Sequence, residues 1–265
     1  MNLWRRFRRA MDERAAARHA IPDPLWRRTL RRYPFLQRRD PADEALLRHL
    51  TSLFLARKEF SGAGGLRVRD DMAVAIAAQA CLPVLRMGLD GYDSFVGIVV
   101  HPDQVVARRE EVDEDGVVHT YDEPLAGEAM AGGPVMLSWH DVRAAGPGSR
   151  AGVGYNVVIH EFAHVLDLQD GVSDGTPPQP DPRALARWRT TLNEEFQRFV
   201  DAVDRDEDTA IDPYGATGPD EFFAVTAELF FVAPWSLQRE HPALYGLLRD
   251  YFGQDPAEEM PAPRD

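Results

Sequence analysis

The sequence predicts a single α+β domain, in which helices from both ends of the chain surround a small, mostly antiparallel sheet. Three observations support this prediction. Apolar residues recur at helical spacing before residue 85 and again after residue 154. Between residues 95 and 139 they occur instead in short runs separated by turn residues. The chain has 265 residues, of which 44% are hydrophobic and 28% charged, so it can bury one substantial globular core.

The first predicted helices lie before residue 85. Residues 1–20 are rich in arginine and alanine, and we expect them to form a frayed helix. Asp40 suits the N-cap of the next helix and Pro41 its first turn, and the glycines near residue 62 end it. Residues 71–85 are rich in alanine and apolar on most faces, which predicts a buried helix.

The middle of the chain predicts the sheet. Residues 95–100 form a nearly continuous apolar run, which is typical of a strand buried on both faces. Residues 112–121 carry an Asp-Gly pair at their centre, a strong hairpin signal. Residues 133–139 form another strand, and Pro134 at its start favours an edge position because proline cannot donate a ladder hydrogen bond.

Helices return in the last part of the chain. Residues 155–168 contain neither glycine nor proline, and Gly171 ends this helix. A proline-rich surface loop leads to an amphipathic helix over residues 182–203. Two further helices are predicted over residues 220–231 and 242–251.

The two ends of the chain differ from the rest in charge and in expected order. The net charge is −13, yet residues 1–40 hold 12 arginines against 4 acidic residues. This basic head, residues 1–40, either binds nucleic acid or anionic lipid, or packs on the acidic remainder of the chain. The apolar residues between its arginines favour packing. We therefore expect residues 1–24 to be a basic, flexible segment without a direct nucleic-acid or membrane partner. Residues 25–253 then form the domain and residues 254–265 a disordered tail.

The single cysteine and the absence of long apolar runs bear on location. Cys81 lies in an apolar run and is expected to be an inert core thiol. One cysteine allows no disulfide within the chain, which favours a reducing compartment. No apolar run reaches the ~18–20 residues that span a bilayer, and no apolar signal follows the first arginines. We expect a cytoplasmic protein.

His160, Glu161 and His164 form an H-E-x-x-H motif inside the predicted helix over residues 155–168. Residues four apart lie on the same face of a helix, so both imidazoles can bind one Zn²⁺. Glu161 can then take a proton from the water that the metal activates and pass it to a leaving amine. By chance the motif arises in only about 2% of such chains, and buried imidazoles without a partner are costly.

A hydrolytic zinc also needs a third protein ligand and an open position. Asp167 lies seven residues after His160 on the same face, and it suits a hydrogen bond to a ligand better than the metal itself. Glu221 and Glu228 share one face of an apolar helix, where a carboxylate needs either a metal or a buried hydrogen bond. The residues alone leave both open. The carboxylates weighed as ligands are Asp167, Asp170, Glu194, Glu195, Glu221 and Glu228.

The motif and a second block together resemble a known family. His160–His164 followed by YGATGPDEFFA at residues 214–224 is similar to the titration factor A (MtfA-like) zinc peptidases of bacteria. The same two blocks resemble the catalytic domain of anthrax lethal factor. The MtfA-like resemblance extends to residues 75–85 and 133–139 and covers roughly residues 25–250. The zinc motif alone is broad, whereas its pairing with a tyrosine seven residues before Glu-Phe-Phe-Ala is specific.

The resemblance implies a zincin-like fold, one zinc per chain and an aminopeptidase-like activity on a peptide substrate in the cytoplasm. It implies that Glu221 is the third ligand and that Glu228 orients a ligand histidine instead. It also implies that Tyr214 donates a hydrogen bond to the developing oxyanion. One branch of the family binds a sugar-responsive transcription repressor and so affects glucose uptake, but no pattern in this sequence identifies that partner.

Two further expectations complete the prediction. In the zincin class an edge strand beside the active-site helix holds the peptide by strand addition, and residues 133–139 are the candidate. The alternative function is a regulatory protein that sequesters a transcription factor and uses zinc only structurally. Structural zinc usually fills four protein positions, often with cysteine. The distance of Cys81 from the motif and the presence of Glu161 favour catalysis.

Overall fold

The computed structural model describes residues 3–37, 40–112, 118–129, 132–145 and 154–259. Within these ranges the chain forms eleven α-helices and six β-strands. The helices are α1 (Leu3–Arg18), α2 (Asp23–Arg32), α3 (Pro41–Arg57), α4 (Asp70–Cys81), α5 (Trp139–Ala144), α6 (Val157–Asp167), α7 (Pro182–Asp204), α8 (Pro219–Val232), α9 (Pro234–Glu240), α10 (Pro242–Phe252) and α11 (Pro256–Glu259). The strands are β1 (Glu59–Gly62), β2 (Gly97–His101), β3 (Val105–Val112), β4 (Val118–Leu125), β5 (Gly127–Ala129) and β6 (Val135–Ser138).

The fold is α+β and mostly helical, but its principal sheet is mixed. The strand order is β1-β2-β6-β5, with β1 and β6 parallel to β2 and β5 antiparallel to β6. The prediction of a mostly antiparallel sheet is therefore wrong for these four strands. The connections from β1 to β2 and from β2 to β6 are long crossovers, which return the chain to the same end of the sheet.

The separate pair β3 and β4 is antiparallel, with Val112 opposite Val118, and it confirms the predicted hairpin. The Asp115-Gly116 turn itself lies outside the described residues.

Two expectations about individual strands are also wrong. In β2 the side chains of Ile98 and Val100 are buried while Val99 is half-buried, so one face is covered rather than both. Strand β6 is not an edge, because it pairs with β2 on one side and with β5 on the other. Pro134 precedes the strand, so its missing N–H removes no ladder hydrogen bond. Among the described strands of this sheet, β1 and β5 form the edges.

The core is built around α4 and α6. Every residue from Val74 to Cys81 on α4 is buried, including the free thiol of Cys81. Phe162 of α6 packs against Tyr92, Phe54 and Phe95 with ring centroids 4.9, 5.7 and 5.8 Å apart. This aromatic cluster packs against one face of α6, and the other face remains available for a functional site.

Both ends of the described chain contact the body. On α1, Asp12 forms a 2.7 Å salt bridge with Arg57 of α3, and Ile21, which follows this helix, is buried. At the other end, Gln254 is buried and donates a hydrogen bond of 2.9 Å to the carbonyl of Leu82. These contacts do not fit a disordered segment that begins at residue 254. Among the helices described, none is both long and apolar enough to cross a membrane.

Candidate metal centre

Helix α6 is anchored at its start, which fixes the direction of its polar face. The side chain of Asn156 accepts a hydrogen bond of 3.0 Å from the Ile159 N–H and so caps the helix. Its amide also donates to Gln79 Oε1 at 2.9 Å, which ties the cap to α4. The helix matches the prediction within two residues at each end.

Two imidazoles and one carboxylate converge where α6 meets the first turn of α8. The Nε2 atoms of His160 and His164 are 3.2 Å apart. The Oε2 atom of Glu221 lies 3.0 Å from His160 Nε2 and 3.4 Å from His164 Nε2. Glu228, the other carboxylate that the sequence left open, does not belong to this cluster.

This cluster has the character of a metal site. The Oε2 atom of Glu221 is buried, and no donor is aligned to give it a hydrogen bond. A buried carboxylate oxygen without a donor is costly unless a cation lies beside it. Two imidazole nitrogens and one carboxylate oxygen form a donor set that suits zinc in a catalytic site. The residues therefore fit a divalent metal ion.

The charges of the cluster also favour a cation. Burial raises the pKa of the Glu221 carboxyl, but the two adjacent imidazoles outweigh this effect and hold the pKa well below its usual range. Burial lowers the pKa of His160, but Glu221 and Glu228 outweigh it and raise the pKa well above the usual value. Without a metal, the protonated form of His160 is thus favoured, and a bound cation would replace that proton.

Glu228 contacts the ring nitrogen of His160 that does not face the cluster. Its Oε1 lies 2.8 Å from His160 Nδ1, and its Oε2 accepts the backbone N–H of Asn156. A carboxylate at Nδ1 favours the tautomer with the proton on that nitrogen, which leaves the Nε2 lone pair towards Glu221 and His164. Glu228 is buried, so this contact also provides the partner that its charge requires.

Glu161 is buried beside the cluster. Burial raises the pKa of its carboxyl to about 7, against the opposing effect of His160 and His164. A carboxyl with a pKa near neutrality can both accept and release a proton at physiological pH. A metal cation in the cluster would lower this pKa and favour the ionised form.

Sequence reasoning missed Gly127, which is in close contact with Glu161. A Cβ atom at residue 127 would lie 2.4 Å from Glu161 Oε1, so only glycine allows β5 to pass so near the carboxylate. The available signal was an isolated glycine in a short strand, which often marks a close approach. Its importance depends on the tertiary contact between β5 and α6, which no local pattern shows.

Tyr214 lies at the rim of the site. It belongs to the 3-10 turn Pro213–Thr217, whose start is fixed by a 2.9 Å hydrogen bond from the Tyr214 N–H to Asp212 Oδ1. Its ring centroid lies 6.1 Å from that of His160, and 47% of its surface is exposed. The phenol therefore stands next to the cluster and faces solvent, where a substrate would enter.

Asp167 forms its hydrogen bond with a loop and not with the imidazoles of the cluster. Its Oδ2 accepts a 2.8 Å hydrogen bond from the Gly175 N–H, and its buried Oδ1 has no hydrogen-bond partner among the described residues. The expected hydrogen bond to a ligand histidine is thus not formed. Burial raises the pKa of this carboxyl to about 6, although the Gly175 N–H acts in the opposite direction. Glu195 also lies elsewhere, with its Oε2 2.9 Å from His241 Nδ1.

A second group of ligand-type atoms comes from Asp103, His140 and Asp141. Two of these three residues are exposed. Asp141 Oδ1 already accepts hydrogen bonds from Gln104 and Tyr155. The cluster on α6 and α8 is therefore the better candidate for the metal centre.

Comparison with known proteins agrees with this geometry. The family described as glucose-regulated metallo-peptidase M90 matches residues 4–253. The chain belongs to this family. It is therefore a metallopeptidase by family, and a metallopeptidase requires a metal ion.

Relatives extend over most of the chain. Mlc titration factor A of Edwardsiella ictaluri is 38% identical over 199 residues, which are 74% of each chain. Mlc titration factor A of Salmonella arizonae is 32% identical over 240 residues, 90% of this chain and 94% of the relative. An uncharacterized protein of Synechocystis is 36% identical over 88% of this chain and 85% of its own length. The resemblance to titration factor A that the sequence indicated is confirmed.

Proposed function

We propose that this protein is a zinc-dependent, aminopeptidase-like enzyme with a zincin-like site. His160, His164 and Glu221 would hold one zinc ion per chain. The observation that carries the proposal is the convergence of two imidazole Nε2 atoms and one buried carboxylate oxygen within 3.4 Å of one another. Zinc held there supplies Lewis acidity, which polarises a peptide carbonyl and makes a water molecule acidic near neutral pH.

Glu161 is the general base in this proposal. Its buried carboxylate takes the proton from the attacking water and gives it to the leaving amine. Burial raises the pKa of this carboxyl and a bound cation would lower it again, so the group would be ionised and able to accept the proton of the water. Tyr214 donates its hydroxyl hydrogen bond to the oxyanion that forms at the scissile carbonyl, because its ring stands beside His160 at the solvent face.

Strand β5 replaces residues 133–139 as the candidate peptide-binding edge. It is an edge of the four-stranded sheet, and Gly127 lies in contact distance of Glu161. A peptide that adds to this edge as an extra strand has its backbone held beside the general base. The absence of a side chain at Gly127 leaves the space in which the Glu161 carboxylate lies beside this edge.

The alternative of a purely structural zinc is less well supported. Three protein ligands converge among the described residues, whereas structural zinc usually has four. A repressor partner remains part of the proposal, since the relatives from Edwardsiella and Salmonella carry the name Mlc titration factor A. We infer that binding such a repressor would add to peptide hydrolysis and not replace it.

The proposal is tested by metal analysis and peptide cleavage with purified protein. We expect one zinc per chain and cleavage that a chelator abolishes and added zinc restores. His160→Ala and His164→Ala should lose the zinc. Peptides with a free amino terminus should be cleaved faster than their N-acetylated forms, as expected of an aminopeptidase. Full retention of zinc in both histidine variants would contradict the assignment.

A further inference from the structure

A cavity of about 260 Å³ lies among α2, the start of α4 and α5, and none of its lining residues belongs to the metal centre. We propose that this cavity, called here the arginine cavity, binds a small organic anion, namely a phosphomonoester with a flat apolar body. The inference goes beyond peptide hydrolysis. It depends on the charge of the cavity rim and on the character of its floor.

The rim carries an excess of positive charge. Four arginines line the cavity, namely Arg28, Arg32, Arg69 and Arg143. Asp71 is the only carboxylate among the described residues that line the cavity, and it pairs with Arg69 through contacts of 2.9 and 3.1 Å. The other three arginines form no salt bridge with any described residue. Among the described residues, four arginines therefore face one carboxylate, an excess of three positive charges in a chain of net charge −13, which a bound anion would offset.

The guanidinium groups are placed by the fold. Arg28 and Arg32 lie one turn apart on α2, so their side chains share a face. Arg32 donates to the backbone carbonyl of Arg143, and its guanidinium carbon lies 5.7 Å from the centroid of the Tyr33 ring. The planar guanidinium fork matches the geometry of phosphate oxygens, which makes arginine the usual residue for such anions.

The floor of the cavity is aromatic and apolar. Tyr33 is buried, and its hydroxyl donates a 3.2 Å hydrogen bond to the carbonyl of Val142, so the ring presents no unsatisfied polar group. Trp139, Leu25 and Ala75 complete this surface. A flat apolar body on the floor would place an attached phosphate at the rim. Inorganic phosphate would use only the rim and should bind more weakly.

This assignment also explains part of the basic head of the chain. Two of its arginines, Arg28 and Arg32, line the arginine cavity, while Arg48 outside the head pairs with Asp23 inside it. A concave site of this volume admits one small molecule, whereas a DNA duplex requires an extended basic surface. Binding to a duplex is therefore the rival outcome of the test.

The experiment is calorimetric titration of the full protein with phenyl phosphate, inorganic phosphate and phenol. We expect phenyl phosphate to bind more tightly than inorganic phosphate, and phenol not to bind. Arg28→Gln and Arg143→Gln should each weaken phenyl phosphate binding about tenfold, the size of one charge-assisted hydrogen bond. Arg189→Gln, an exposed arginine on α7 outside the cavity, is the matched control and should bind like the wild type.

Two further titrations distinguish the arginine cavity from the metal centre and from a duplex-binding surface. Glu221→Gln should keep phenyl phosphate binding, because a phosphate bound to the metal centre would be lost with that ligand. A short DNA duplex should bind no better to the wild type than to Arg28→Gln. The proposal is overturned if phenyl phosphate does not bind, if both cavity variants bind it like the control, if Glu221→Gln abolishes binding, or if only the duplex binds. Circular dichroism of each variant establishes that it is folded.

Discussion

Glu221 and Glu228 lie seven residues apart on α8 and contact opposite sides of the same imidazole. Glu221 Oε2 is 3.0 Å from His160 Nε2, whereas Glu228 Oε1 is 2.8 Å from His160 Nδ1. Glu221 also reaches His164 and has a buried oxygen without a donor, while Glu228 accepts the Asn156 N–H. The ring nitrogen that each carboxylate faces therefore distinguishes Glu221, the proposed metal ligand, from Glu228, which we propose orients His160.

The largest effect is expected for Glu221→Gln. The amide is a poor metal ligand, so zinc affinity should fall by more than the ~10–100-fold typical of residues that only orient a ligand. Peptide hydrolysis should fall with it. Equilibrium dialysis against a zinc buffer measures the affinity, and Glu194→Gln, an exposed carboxylate on α7, is the control. Unchanged zinc affinity in Glu221→Gln would contradict the assignment of Glu221 as a metal ligand.

Glu228→Gln should have a smaller effect on the metal. The variant keeps His160 but weakens the contact that fixes its tautomer, so zinc affinity should fall ~10–100-fold. The same dialysis, run beside Glu221→Gln, gives the ranking directly. A larger loss in Glu228→Gln than in Glu221→Gln would reverse the two assignments.

Gly127→Ala should separate catalysis from metal binding. The added Cβ would lie 2.4 Å from Glu161 Oε1, so the carboxylate must move. A displacement of about 1 Å in a catalytic group can cost ~10²-fold in rate. We expect kcat to fall by about this factor while zinc content stays at the wild-type level. Gly246→Ala on α10, where an added Cβ meets nothing within 4 Å, is the control. Wild-type kcat in Gly127→Ala would show that Glu161 tolerates the displacement.

Tyr214→Phe should lower the rate of hydrolysis without changing the fold or the zinc content. It removes one hydroxyl at a residue that is 47% exposed, so the fold and the zinc should persist. Loss of one oxyanion donor typically costs ~10²–10³ in kcat, and we expect the lower end because the metal shares the charge. The decrease should occur in kcat rather than in KM. Steady-state kinetics with one peptide measures both, and an increase in KM alone would assign Tyr214 to substrate binding.

The elements that the sequence predicted well are those with local signals. Residues 155–168 predict a helix and α6 forms Val157–Asp167, because an uninterrupted apolar stretch and a terminal glycine lie within or beside it. The order of the sheet was not predictable in this way. Strand β1 has four residues and β5 has three, too few for a clear alternation, and their pairing depends on distant segments.

The same limit applies to the site. The spacing of His160 and His164 is a property of one helix, so the sequence brings these two residues together. Glu221 follows on another helix, and spacing alone could not distinguish it from Glu228. Only the resemblance to the MtfA-like peptidases indicated Glu221 as the ligand. The close approach of Gly127 to Glu161 is a contact between a strand and a helix, and it required the fold.

We propose that Glu161 acts as the base at a metal centre that it does not ligate. The most direct measurement is peptide hydrolysis and zinc content of Glu161→Gln beside those of the wild type and of Glu194→Gln. The amide cannot accept a proton from water, so we predict wild-type zinc content with hydrolysis nearly abolished, and full activity in the control. Hydrolysis at the wild-type rate by Glu161→Gln would contradict the account and favour the repressor-binding alternative.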